Sequence, residues 1–289
     1  MTKFVALLDR AVLDVTGPDA GEFLQGLVTN NLDKLKDRDA LFAALLTPQG
    51  KINYEFFIVL YQNGFYLEMA KGGLDEIFKK LSLYKLRADV EIANLCESHM
   101  VFWLADPCEL SCPEALTFRD PRSNDLGLRA IVPVDQMSTF CEGLEASTPE
   151  DYLKARLEAE IPEGGYDYAL GNTFPHEACY DLLDGVDFSK GCYVGQEVVS
   201  RMQHRSTTRK RIVCVSSNDE LPESGAEIRT ENSLLGVLGS RLGNKGLALI
   251  RLDRAGKALD NGDKIKADGV HVTLSIPSWG SYNFVGEET

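Results

Sequence analysis

The chain has 289 residues, 44% of them hydrophobic and 26% charged, with a formal net charge of −14. That composition is typical of a globular protein with room for two or three cored domains. The acidic balance excludes general binding of nucleic acid or anionic membrane over the whole surface. No apolar run reaches the roughly 20 residues that a membrane span needs, and seven cysteines at irregular spacing suit reduced thiols better than a disulfide framework.

The first residues, MTKFVALLDRAVLDV, lack a long apolar core and an Arg/Ser-rich leader, which points to the cytoplasm. Residues 3–16 read as extended. After Thr16-Gly17-Pro18, the apolar residues Ala20, Phe23, Leu24 and Leu27 recur at helical spacing, and the helix is expected to stop near Asn30 and Asn31, which tolerate the left-handed conformation. Residues 40–46 and 51–60 read as strands joined by the Thr47-Pro48-Gln49-Gly50 turn. Gln62-Asn63-Gly64 then closes a hairpin onto a third strand at 65–69. Leu74, Ile77, Phe78 and Leu81 mark one face of a helix, and Val90 and Ile92 a half-buried strand. Strands follow at 101–105 and 126–132, with 106–124 read as loops. Pro149 opens a helix carrying Tyr152, Leu153 and Leu157. Beyond a boundary near Ser206, short strands at 212–215, 234–238, 247–252, 264–267 and 270–276 suggest a small antiparallel barrel.

Chemistry concentrates between residues 190 and 211, KGCYVGQEVVSRMQHRSTTRKR. Six Lys/Arg face one carboxylate, Glu197, a local +5 that leaves −19 on the rest of the chain. Such an island suits an anionic ligand or an acidic partner; RNA is disfavoured because stacking aromatics are not interleaved. Within it Cys192 precedes a helix start and sits among cations, an environment that lowers a thiol pKa; a small buried cysteine in a turn is the plain alternative. Cys108 and Cys112 have no second Cys/His pair at zinc spacing, and no ferredoxin-type cysteine cluster is present.

KGCYVGQE followed by a basic helix resembles the signature of the YgfZ family of folate-binding proteins. That family is the iron–sulfur-assembly branch of the glycine-cleavage T-protein (aminomethyltransferase) superfamily. FLQGLVTNN at 23–31, LLTPQGKI at 45–52, Tyr-x-Leu-Arg at 84–87 and AEIPEGGYD at 159–167 fall in the order that the family shows. The resemblance implies an α+β fold, a T-protein-like three-domain ring with a C-terminal β-barrel. Residues 1–39 and 99–205 would form a discontinuous folate-binding domain, 40–98 a second α+β domain and 206–289 the barrel.

It also implies a tetrahydrofolate-binding factor for assembly or repair of iron–sulfur proteins. Its partners would be folate and iron–sulfur client or carrier proteins, with no membrane. Cys192 would be the reactive thiol beside the folate cavity. Tyr152 and Glu177 would line the pterin side, Lys190 and Arg201 would face anionic groups, and Tyr84 and Asn30 would border the cavity. Arg10, where some relatives carry an aromatic residue, could instead pair with the glutamate carboxylate of folate. The alternative is a true folate-dependent aminomethyltransferase. T-proteins of that kind carry an acidic pair where this chain has Tyr54-Glu55, and acid–base chemistry tolerates such a displacement poorly.

Overall fold

The computed structural model describes residues 1–108, 110–205 and 208–284. Its centre is a sheet covered on both faces, and Ala40–Leu46 shows why. All seven residues of this strand, ALFAALL, are buried, and an unbroken apolar run cannot leave either face wet. Leu41, Ala43 and Leu45 pack beneath α1 (Ala20–Gln25) and α2 (Leu74–Tyr84). Phe42, Ala44 and Leu46 face a second core that Trp103, Leu157, Tyr180 and the barrel residues Ile212 and Leu247 share.

This middle sheet is antiparallel, in the order Ala40–Leu46, Ile52–Tyr61, Gly64–Ala70, Arg10–Thr16, Glu91–Asn94. A second five-stranded sheet runs Glu145–Ala146, Lys3–Ala6, His99–Leu104, Leu128–Pro133, Leu116–Arg119. Its far face packs on α3 (Met137–Cys141) through Phe102 and Phe140. After α4 (Pro149–Glu158) and α5 (Gln196–Arg205), seven short strands coil into a nearly closed barrel with α6 (Leu252–Asp260) packed on its core. The end strands, Val270–His271 and Thr273–Ser275, are separated by Val272 alone.

The fold is the mixed α and β arrangement with a C-terminal barrel that the sequence implies, with local departures. Arg10–Thr16 pairs with Gly64–Ala70 and Glu91–Asn94, because the turn closed by Arg10 N–H on the Leu7 carbonyl sends the chain from one sheet into the other. Sheet membership therefore changes at residue 10, not at residue 39. α1 ends at Gln25. Asn31 is extended at φ −94° and caps the 3-10 turn Leu32–Lys36, so it is no left-handed helix stop. Leu116–Arg119 is a strand inside the stretch read as loop, held by buried Phe118 against Phe57. The boundary near Ser206 lies outside the described residues.

Candidate functional site

Three of the sequence signatures meet around one loop. Asp187 N–H donates to the Thr29 carbonyl at 3.0 Å, the Thr29 hydroxyl to the Gly185 carbonyl at 2.6 Å, and Asn30 Nδ2 to the Asp184 and Phe42 carbonyls at 2.6 and 2.9 Å. Lys190 Nζ reaches three carbonyls, Gln25 at 2.9 Å, Val28 at 2.6 Å and Asn30 at 2.7 Å. Three ammonium donors thus meet three acceptors just past the end of α1, where helix carbonyls lack intrahelical partners. Burial pushes the Lys190 ammonium down to about 8. On the other side Gly195, at φ +82°, sits so close to the Thr47-to-Gly50 turn that a Cβ would lie 2.7 Å from the Thr47 carbonyl oxygen. Residues 23–31 and 45–52 therefore clasp residues 184–197. At the outer edge of this clasp Cys192 is exposed, the one exposed cysteine among the described residues.

Three cations of the basic island are engaged away from the thiol on which the sequence suggests they converge. Lys190 turns inward to the three carbonyls. Arg211 makes a two-pronged pair with Asp181 at 2.6 and 2.8 Å, and exposed Arg201 pairs with Glu197 at 2.7 Å. Their charge is spent on nearer acceptors. α5 begins only at Gln196, four residues beyond Cys192.

A cavity of about 550 Å³ lies elsewhere, between the Ala6–Arg10 turn, α4, residues 163–166 and the barrel residues Ser224, Ser240 and Arg241. Leu7, Leu8, Leu153 and Tyr152 give it apolar walls, and Arg10, Arg156 and Glu163 give it a charged floor. Beneath that floor four guanidinium groups and four carboxylates interlock. Arg10 bonds Glu68 and, at 3.2 Å, Glu163. Arg129 joins Glu68 at 3.1 Å and Asp120 at 3.3 Å; Arg122 joins Asp120 at 2.8 Å; Arg156 joins Glu163 at 3.4 Å and Asp167 at 2.5 Å. The arginines also surround the Phe57 ring, with Arg129 4.6 Å and Arg122 4.9 Å from its centre. Burial alone would raise the Asp120 carboxyl, but Arg122 and Arg129 outweigh it and hold the group down at about 2. Glu163 is held low the same way, Arg156 and Arg10 overcoming burial. The Tyr152 hydroxyl accepts from Arg129 Nη2 at 2.5 Å and donates to Glu163 at 3.4 Å; burial raises its pKa.

Glu55, half of the Tyr54-Glu55 pair that replaces the T-protein acids, is not open for acid–base work. It is buried in the interior strand Ile52–Tyr61, where its carboxylate accepts from both Tyr168 and Tyr180 hydroxyls and, at 2.8 Å, from the Gly164 N–H.

The structure brings only Tyr152, of the expected cofactor-binding residues, to the cavity. Arg10 lies there too. Lys190 and Asn30 belong to the clasp, where both are buried and bonded to backbone. Glu177 accepts from the Phe174 N–H and fixes its own turn. Tyr84 is 36% exposed at the end of α2, away from the cavity lining. Cys192 is not among the cavity's lining residues either, because its loop is tied to α1 and the 47–50 turn. Sequence reasoning missed Glu68, Asp120, Arg129 and Glu163. A signal existed: Glu68 and Arg129 are single charges inside otherwise apolar strands, GFYLEMA and LRAIVP, and a buried charge requires a partner.

Comparison with known proteins supplies independent findings. Residues 209–282 match the family described as CAF17, C-terminal beta-barrel domain. The chain is 31% identical to the human iron–sulfur cluster assembly factor IBA57, mitochondrial, and 30% identical to its mouse counterpart; each match covers 93% of this chain and 83% of the relative. The Dictyostelium discoideum IBA57 homolog is 32% identical over 72% of this chain, which spans 61% of that longer relative. In structure the chain is similar to the glycine cleavage system aminomethyltransferase T from Bartonella henselae, with a TM-score of 0.78 at 16% identity, covering 98% of this chain and 87% of that one. The T-protein fold is thereby established. These relatives overturn the cytoplasmic placement: each is named a mitochondrial protein.

Proposed function

The chain belongs to the family of IBA57 iron–sulfur cluster assembly factors, and from that premise we propose that Cys192 is the thiol through which it handles a cluster. The observation that carries this reading is the exposure of Cys192 on a loop whose backbone is fixed from both sides. A thiol there can bind an iron of a cluster in transit as the thiolate, releasing its proton to solvent. Among the described residues no group of three or more His, Cys, Asp or Glu is placed to hold a metal ion. The cluster's remaining ligands would therefore come from a carrier, a client or a small thiol. The family resemblance to YgfZ is consistent with this use of the KGCYVGQE segment.

Tetrahydrofolate is proposed as the ligand of the Arg10–Tyr152 cavity. The volume lies within the range of small-molecule sites, and the residues present fit the group. Tyr152, Leu7 and Leu153 offer an apolar wall for a pterin; Glu163, already paired with Arg10 and Arg156, would add an acceptor for its N–H edge, and Arg241 would have to exchange Glu220 or Glu223 for an anionic tail. When bound, the folate supplies a one-carbon acceptor; the chain's own residues bind and orient it. The aminomethyltransferase alternative is weakened by Glu55, whose carboxylate is buried and bonded to two tyrosines and a backbone N–H.

The two parts are tested together. Titration with tetrahydrofolate should quench tryptophan fluorescence, since the Trp103 ring lies 5.7 Å from that of Tyr152. Tyr152→Ala should weaken binding about tenfold, while Cys192→Ser leaves it unchanged. In cells depleted of the native protein, Cys192→Ser should fail to restore iron–sulfur enzyme activity. Full restoration by that variant would overturn the thiol assignment.

A further inference from the structure

We propose that the corner at the end of α2, centred on Leu83 and Leu86, is a peripheral docking site for an anionic lipid surface. The corner combines three features. First, Leu83 and Leu86 are 73% and 87% exposed, with Tyr84 between them at 36%. Leu74, Ile77 and Leu81 already bury the inner face of α2, so Leu83 adds nothing to that core.

Second, the ten residues 79–88 hold four cations, Lys79, Lys80, Lys85 and Arg87, and no carboxylate, on a chain that is otherwise −18. Lys79 and Arg87 are exposed beside the leucines. Lys80 lies over the Tyr54 ring, and Lys85 is bonded to the Val90 carbonyl.

Third, the projection is built into the chain. Lys85 Nζ donates to the Val90 carbonyl at 2.9 Å, closing the turn from inside. Asp89 is clamped from outside, its N–H donating to the Asp19 carboxylate at 2.8 Å and its carbonyl accepting from Asp19 N–H at 3.3 Å. Gly17 packs so tightly on the Asp89 carbonyl that a Cβ would come within 2.3 Å. Between these fixed points Leu86 adopts φ +44°, a left-handed conformation that a branched side chain disfavours. A leucine is thus held outward, in a strained backbone, by bonds on both sides.

The shape decides the occupant. Side chains this exposed line no groove, so a folded partner would need to offer an acidic pocket shaped to receive them. A bilayer interface needs no such match: acyl chains flow around the leucines, the tyrosine ring sits at headgroup level, and the lysine and arginine heads meet lipid phosphates. Asp19 and Asp89, at the foot of the same turn, oppose this attraction, while the acidic charge farther off is screened beyond about one Debye length, ~8 Å at physiological salt. Contact of this kind is reversible and involves no membrane span. Among the described residues no helix is long and apolar enough to cross a bilayer.

The experiment is cosedimentation of the full-length protein with vesicles of phosphatidylcholine alone and of an equal mixture of phosphatidylcholine and phosphatidylglycerol. Binding to the mixed vesicles, weakened by added salt and about tenfold lower on phosphatidylcholine alone, is expected. Leu86→Ser should lower the partition about tenfold, and Leu83→Ser with Leu86→Ser further still. Leu234→Ser, an equivalent change at an exposed barrel leucine, should leave it unchanged. Because Leu83 and Leu86 are exposed, their variants should keep the wild-type thermal midpoint. The proposal is overturned if the mixed vesicles bring down no protein, or if the double variant binds as well as wild type. It is equally overturned if the two leucines prove to hold a dimer of this chain in solution that the double variant dissociates.

Discussion

The Cys192 loop and the cavity beside Arg10 are fixed by opposite means. The loop is held mainly by backbone carbonyls, which accept from one lysine, one threonine and one asparagine, and by a glycine pressed against a turn. The cavity floor is held by eight buried charges that neutralise one another. Removing a member of the first set frees a local segment. Removing a member of the second leaves an uncompensated charge between two sheets and the barrel. A reactive group at a surface loop can therefore change or be lost without unfolding the protein, whereas the cavity's polar floor is inseparable from stability.

That contrast breaks most visibly at Arg129. Arg129→Met should take one of two arginine partners from each of Glu68 and Asp120, leave the buried network one positive charge short, and lower the unfolding free energy by about 3–5 kcal/mol in urea. A loss below about 1 kcal/mol would show that the network is not the frame described. Acid tests the same floor. The Asp120 carboxyl titrates at about 2 in the folded protein against 3.8 ordinarily. Its contribution is thus complete above about pH 4 and is lost as the pH falls through 2, about 2 kcal/mol in all. Comparing wild type with Asp120→Asn by calorimetry across that window checks the sign; the difference between them should shrink at the acid end.

The loop should respond more weakly. Lys190→Met withdraws three donors from the Gln25, Val28 and Asn30 carbonyls, and a loss of about 1–3 kcal/mol is expected. Amide exchange should then accelerate in residues 184–195 while tetrahydrofolate binding stays as it was. Exchange that accelerates across the cavity walls instead would merge the two regions. Smallest is Cys192→Ser, which should move stability by no more than about 0.5 kcal/mol, because the side chain is exposed.

The sequence told these regions apart only in part. Strands such as Ala40–Leu46 and the Gln62 hairpin were legible because apolar runs and turn residues act locally. The clasp was legible as motifs but not as a clasp, since nothing local says that Lys190 turns inward to residues 25–30. Charge counting placed six cations near Cys192, and the fold spends three of them, Arg211, Arg201 and Lys190, on Asp181, Glu197 and backbone carbonyls. The cavity was least legible. Arg10, Glu68, Arg129 and Glu163 are distant in sequence, and only the pairing of two sheets brings them together.

The central claim, that cluster chemistry resides at Cys192 and not at the cavity, is most directly tested by anaerobic incubation with ferrous iron, sulfide and glutathione, followed by visible absorption. A sulfur-to-iron charge-transfer band should form in wild type and in Tyr152→Ala and be absent from Cys192→Ser. An undiminished band in Cys192→Ser would contradict it.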